Sequence, residues 1–268
     1  MSGTETIAAA FAAAKNERRA ALMPYLMGGF PDLETSRRIG LAYAERGADL
    51  IELGMPFSDP LADGPVIHNA GSQALAAGAN LHAVLEVGRS LAAQVPVVLM
   101  CYSNVILARG LERFADELVQ AGASGLIVPD LPLEEAPAAL AACDARGLAL
   151  VPLVAPTTPD ERLRRIGERA RGFLYTVSVT GTTGERAELD GGLAAVVARA
   201  AASTQVPVAV GFGIGTAAQA AAAAAAGADG VIVGTRLVRA AGEADDPVAA
   251  AGALVGEFSE ALRNHPLG

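Results

Sequence analysis

The chain has 268 residues, 52% of them hydrophobic, and a formal net charge of −9 at pH 7. That length and apolar content suit one large α/β domain over residues 1–268 with no linker, and the acidic balance without any basic block argues against a nucleic-acid or anionic-membrane surface. The mean hydropathy is +0.37, yet the richest apolar stretch, Ala217 to Ala228, is mostly alanine broken by Gln219, unlike a bilayer-spanning segment.

The opening MSGTETIAAAFAAAKNERR puts Glu5 before a small apolar run and the cations after it, the reverse of a secretory signal, and so predicts a short first helix and a cytoplasmic chain. LMPYLMGGFP, Leu22 to Pro31, reads as a strand ending at Gly-Gly, followed by a helix capped by Asp32. That helix stops at Gly47 and feeds a second apolar strand, Ala48-Asp49-Leu50-Ile51, which runs into ELGMPFSDPLADGP, Glu52 to Pro65, and then an extra helical piece from Ile67 to Ala77. Six further strands are predicted at Val95–Tyr102, Gly125–Asp130, Leu148–Pro156, Gly172–Ser178, Val206–Phe212 and Asp229–Gly234. Helical patterns separate them at Leu111–Ala121, Glu134–Arg146, Pro159–Ala170, Gly192–Ala202 and Thr216–Ala226, and one closes the chain at Val248–Arg263. Thr158-Pro159-Asp160-Glu161 reads as a capping box with proline in the first turn, and Gly122-Ala-Ser and Gly227-Ala-Asp as helix stops.

Eight βα alternations with near-continuous apolar strands predict a parallel sheet covered by helices. The expected fold is the closed eight-stranded (β/α)8 TIM barrel, with an extra N-terminal helix and the extra helical piece after the second strand. An open doubly wound sheet is the alternative, although Gly28-Gly29-Phe30-Pro31 does not fit a dinucleotide fingerprint. Two units are longer than the rest: one after the second strand and one after the sixth, where TGTTGERAELDGG intervenes. In a barrel these loops build the active face.

Glu52 stands at the end of an apolar strand whose two faces both look buried, so its pKa should be raised into the range of a general acid or base, though a buried structural Glu is the plainer alternative. Asp63 follows in a loop stiffened by Pro56, Pro60 and Pro65, which can hold an acid in place. Three glycine-bearing loops, around Gly181 to Gly184, Gly211 to Thr216 and Gly234-Thr235, follow the sixth, seventh and eighth strands, where backbone amides and helix starts can hold a phosphate. Tyr25, Tyr102 and Tyr175 lie in predicted strands and could close around an aromatic substrate, or simply pack. His68, His82 and His265 have no metal-ligand spacing, so no metal site is expected. Ser58, Asp59 and His68 lack a nucleophile elbow, and Cys101 and Cys143 read as reduced core thiols.

The loop ELGMPFSDPLADGP, together with LMPYLMGGFPD, MCYSNVI, LIVPDLP, YTVSVTGTTG, VGFGIG and VIVGTR, closely resembles the α subunit family of tryptophan synthase over essentially the whole chain. The resemblance implies a lyase that splits indole-3-glycerol phosphate into indole and glyceraldehyde 3-phosphate by retro-aldol cleavage, with no cofactor in this subunit. It implies Glu52 as the acid–base glutamate and Asp63 as the catalytic aspartate. Gly184, Gly213, Gly234 and Thr235 would hold the phosphate, Phe212, Tyr175, Tyr102 and Met100 would line the indole pocket, and Thr183 would be the lid residue that reaches the aspartate loop. Val179 stands where some relatives have arginine, and Thr235 where serine is commoner. The implied partner is a pyridoxal-phosphate β subunit in an α2β2 assembly, facing the Asp59-Pro60 loop and the segment around Asn104 and Arg109. A stand-alone indole-releasing lyase, or a silent subunit that only activates a β partner, are the other readings.

Overall fold

The computed structural model describes residues 1–177, 192–211 and 213–265. In chain order the elements are α1 (Gly3–Asn16), β1 (Ala21–Met27), α2 (Leu33–Glu45), β2 (Ile51–Gly54), α3 (Pro65–Ala76), α4 (Leu81–Ala92), β3 (Val97–Met100), α5 (Ser103–Arg109), α6 (Leu111–Gln120), β4 (Gly125–Ile127) and α7 (Ala136–Asp144). There follow β5 (Ala149–Val151), β6 (Leu153–Val154), α8 (Asp160–Gly167), β7 (Leu174–Val177), α9 (Leu193–Ala202), β8 (Val208–Gly211), α10 (Ala217–Ala225), β9 (Gly230–Val233), α11 (Thr235–Glu243) and α12 (Pro247–Asn264).

All the strand pairs are parallel, in the order β5-β4-β3-β2-β1-β9-β8-β7-β6. The two ends of that order, β5 and β6, are separated only by Pro152, so the strand predicted at Leu148–Pro156 is one strand bent at a residue with no N–H to give. Its first part pairs with β4 and its second with β7, which closes the sheet into a barrel. The Pro152 carbonyl accepts the Tyr175 N–H at 3.0 Å, so the bend itself belongs to the seam. Eight predicted strands become nine by this bend, and the closed barrel replaces the open-sheet alternative.

The strand entries are tied by a repeated device. In Gly47-Ala48-Asp49 and Gly227-Ala228-Asp229 the glycine ends a helix at φ 99° and 98°, and the aspartate carboxylate accepts a neighbouring strand's amide, Leu22 N–H at 2.8 Å and Val208 N–H at 2.9 Å. Arg19 grips Asp49 through both guanidinium ends, at 2.6 and 2.9 Å, satisfying a nearly buried charge pair. At the same end α1 buries Ile7, Phe11 and Ala14. Phe11 reaches Gly230 at the start of β9, and Ile7 reaches Gly172 just before β7, so the first helix lies across the N-terminal end of the barrel. It is opened by a Ser2–Glu5 capping box.

Three differences from the sequence reading are local. The stretch after α3 holds a second helix, α4, capped by the Asn80 side chain and burying Leu81, Val84, Leu85, Val87 and Leu91. Short helices α5 and α11 follow β3 and β9 directly. The capping box at Thr158 does not form: Pro159 occupies the cap position of α8, and the Thr158 hydroxyl instead accepts the Ala155 N–H at 2.9 Å, closing the turn before it.

Candidate active site

Parallel register places Tyr25 beside Glu52 and Glu52 beside Val98 across β1, β2 and β3. The alternation of β2 sends Leu53 outward, where it meets Gly88 of α4, and Glu52 inward among the side chains of the barrel. The expected sharing of apolar surroundings by both strand faces is what the structure holds: every residue of β2 is buried. Glu52 is 2% exposed, and its Oε2 has no hydrogen-bond partner among the described residues. Burial, and then the charge of Asp63, push its pKa up to about 8.

Asp63 arrives on the loop between β2 and α3. Burial raises its pKa, while the neighbouring Tyr102 hydroxyl and then His68 pull the other way. Its Oδ1 is also buried without a partner among the described residues. Two carboxyl groups therefore enter one pocket, each with an oxygen unused by the described residues, an arrangement that costs stability and suits a ligand with protons or positive charge to offer.

The wall of that pocket is completed by Tyr25, Met100, Tyr175, Gly213, Gly234 and Thr235. Tyr25 and Tyr175 owe their places to glycines on neighbouring strands: a Cβ on Gly54 would run into the Tyr25 hydroxyl, and one on Gly211 would lie 2.5 Å from that of Tyr175. Among the described residues the phenol of Tyr25 reaches the Met27 Sδ, at 3.9 Å. Burial keeps both tyrosines protonated, with pKa values well above the ordinary phenol range. Ile67, Ile214 and Ile232 also line the pocket and were not singled out in the sequence. The inward alternation of VIV in the last strand was the available signal for Ile232.

Lining the same pocket, α11 begins at Thr235 with Gly234 at its cap position, no side-chain cap and no acid in its first turn. Among the described residues its first amides are thus open to an anion. Gly213 adopts φ 89°, a conformation that brings bare backbone to the wall. The neighbouring Gly215 and Thr216 amides are already taken, at 2.8 and 3.1 Å, by the Gln219 side chain that caps α10.

Tyr102 is placed differently from the other tyrosines. Its hydroxyl accepts the Ala62 N–H at 3.0 Å and its ring stacks on Phe57, centroids 5.3 Å apart, so it underpins the Asp63 loop and is not among the residues forming the pocket wall. Thr183, Gly184, Phe212 and Val179 lie outside the described residues. No group of three or more potential metal-ligating side chains occurs among the described residues, Cys101 and Cys143 are both free and buried, and no described helix is long and apolar enough to cross a membrane.

A (β/α)8 barrel carrying a buried glutamate and a second acid in one pocket with an uncapped helix N-terminus has the parts of a barrel acid–base enzyme. The tryptophan synthase alpha chain family model matches residues 11–263. The chain is 49% identical to the tryptophan synthase alpha chain of Prochlorococcus marinus strain MIT 9313, covering 97% of this chain and 94% of that one. It is 45% identical to that of Synechococcus elongatus, covering 96% and 97%. Among solved structures, Mycobacterium tuberculosis tryptophan synthase superposes with a TM-score of 0.89 at 39% identity, covering 96% of this chain and 98% of that one. The alpha subunit from Legionella pneumophila strain Paris superposes with a TM-score of 0.89 at 37% identity, covering 98% and 99%. The chain belongs to the tryptophan synthase alpha chain family.

Proposed function

We infer that this chain cleaves indole-3-glycerol phosphate to indole and glyceraldehyde 3-phosphate. The observation that carries the reading is the pair Glu52 and Asp63, each with a buried oxygen unpartnered among the described residues, in one pocket with the uncapped helix start at Gly234 and Thr235. Glu52, protonated at neutral pH, gives its proton to carbon 3 of the indole ring. The resulting indolenine is an electron sink, and its ring N–H gains positive charge facing the Asp63 carboxylate. The carboxylate of Glu52 then takes the proton of the glycerol hydroxyl as the carbon–carbon bond breaks. Electrons return to the ring, an aldehyde is left, and Glu52 is again protonated. The scheme is balanced without metal or organic cofactor in this subunit. Tyr25, Met100 and Tyr175 would flank the ring, and Gly213, Gly234 and Thr235, with Gly184, would hold the phosphate.

A pyridoxal-phosphate β subunit in an α2β2 assembly is the proposed partner, and two exposed leucines support it over the stand-alone reading. Leu61, 80% exposed, sits on the Asp63 loop, and Leu107, 65% exposed, on α5, both on the segments that follow β2 and β3 at the pocket's end of the barrel. Apolar side chains of that size on the active face suit a covered surface. Asp59 and Asn104 are exposed nearby, whereas Arg109 is partly buried and paired with Glu117 at 3.4 Å. A silent, purely activating subunit would have no use for a protonated Glu52. Indole release from indole-3-glycerol phosphate, measured with and without a β subunit, tests both parts: no release in either condition refutes the lyase, and identical rates refute the coupling.

A further inference from the structure

We propose that Tyr102 is a positioning residue that fixes the Asp63 carboxyl in the pocket, and not a wall of the indole site. The inference rests on the lyase reading above and adds a role to it. Asp63 stands on a loop whose Ser58, Asp59 and Leu61 are exposed, and fixing such residues costs backbone entropy. Something must hold it.

Tyr102 is 3% exposed and meets this loop at both ends. Its ring stacks on Phe57 with planes 26° apart, near where the loop leaves β2, and its hydroxyl takes the Ala62 N–H at 3.0 Å, one residue before the acid. A phenol has one proton to give and lone pairs to receive, so while it accepts from Ala62 its proton faces no competing acceptor in that bond. Its influence on the neighbouring Asp63 is to lower that acid's pKa, against the effect of burial.

The support is itself anchored. Tyr102 occupies the cap position of α5, and the next residue, Ser103, is held by Asp130 from the segment after β4, through its N–H at 2.9 Å and its Oγ at 2.6 Å. Two hydrogen-bonded contacts, Asp130 with Ser103 and Ala62 with Tyr102, are thus joined by the peptide bond between Tyr102 and Ser103, and tie the Asp63 loop to the segment after β4. Asp63 keeps its Oδ1 unpartnered among the described residues, so the loop is held through its neighbour Ala62 while that oxygen stays available to the substrate.

The test is Tyr102→Phe, which keeps the ring on Phe57 and removes only the hydroxyl. Since a misplacement of roughly 1 Å can cost on the order of a hundredfold, kcat for indole release should fall about 10- to 100-fold. KM for indole-3-glycerol phosphate and the melting temperature should stay near wild type. In an Asp63→Asn background the same change should cost little, because the group it positions is already disabled. Ser103→Ala, which loosens the anchor one step away, should lower kcat several-fold without raising KM. Wild-type kcat in Tyr102→Phe, or its full effect repeated on top of Asp63→Asn, overturns the proposal while the lyase reading stands. Wild-type cleavage by Asp63→Asn alone would instead overturn the role of Asp63, and the positioning role with it.

Discussion

The Tyr25 phenol lies against the bare Cα of Gly54 on the adjacent strand, where a single added methyl group would overlap the hydroxyl and the end of the ring. Gly54→Ala should therefore displace Tyr25 from the pocket beside Glu52. Overpacking of this kind costs about 1–3 kcal/mol, and the variant should lose indole release far beyond what its lowered melting temperature explains. Pairing it with Tyr25→Val, which clears the ring away, should recover the melting temperature and leave activity low. A Gly54→Ala enzyme with normal turnover would show that Tyr25 has room to move harmlessly.

If Glu52 serves both proton transfers as proposed, Glu52→Gln should lower indole release by more than the roughly hundred- to ten-thousand-fold of one acid–base step. Asp63→Asn should lose the charge facing the indolenine, on the order of a few kcal/mol of transition-state stabilisation. Both variants should bind a non-cleavable phosphate analogue as wild type does, measured by calorimetry. Near wild-type cleavage by Glu52→Gln would return that residue to a structural role.

The same residue sets two pH dependences. With a folded-state pKa of about 8 against an ordinary 4.5, Glu52 stays protonated in the barrel while its unfolded counterpart ionises. Between these values the folded state holds the extra proton, so its contribution to stability declines as pH rises from 4.5 to 8 and is fully lost above. Glu52→Gln should thus melt higher than wild type at pH 8, by an amount on the order of a few kcal/mol, and nearly equally at pH 4.5. In wild type kcat/KM should fall as pH passes about 8, where the free enzyme loses the proton it must give first. A flat profile through that range would remove Glu52 as the acid.

At the other end of the pocket, Gly234→Asp would put an anion at the uncapped start of α11. Repulsion of a phosphate dianion should raise KM strongly while kcat changes less. An unchanged KM in a folded variant would move the phosphate elsewhere.

For the partner surface, Leu61→Lys with Leu107→Glu should abolish tight binding of a β subunit in a calorimetric titration and leave the melting temperature of the isolated barrel unchanged, because both side chains are exposed. Wild-type affinity would place the interface off these loops.

How much of this could be read from sequence follows from which interactions are local. A carboxylate ending an apolar strand is a conflict between residue and surroundings, so Glu52 stood out, and the helix stops at Gly122 and Gly227 depend on a single residue's φ, found at 74° and 98°. Gly54 looked like the end of a strand, because its reason for being glycine is a phenol on another strand. Tyr102 looked like Tyr175, since the bond that separates them is made to Ala62, forty residues away in sequence. Thr158 offered its hydroxyl to two nearby amides, and the turn won over the helix cap. The α4 pattern of Leu81, Val84, Leu85 and Leu91 was present in the letters, as was the Asn80 cap.

The bend at Pro152 divides the polypeptide in a way that bears on how such an enzyme could be rebuilt. Glu52 and Asp63 precede it, while Gly213, Gly234 and Thr235 follow it. Strands β1 to β5 and β6 to β9 meet at two seams, β1 with β9 and the bend itself, each formed by backbone pairing and little dependent on side-chain identity. On the proposed roles, recombination with a distant barrel at this proline should let the half bearing the two carboxyl groups be inherited separately from the half bearing the glycine loops, so a chimaera could acquire a new bond to cleave while keeping the proposed phosphate loops.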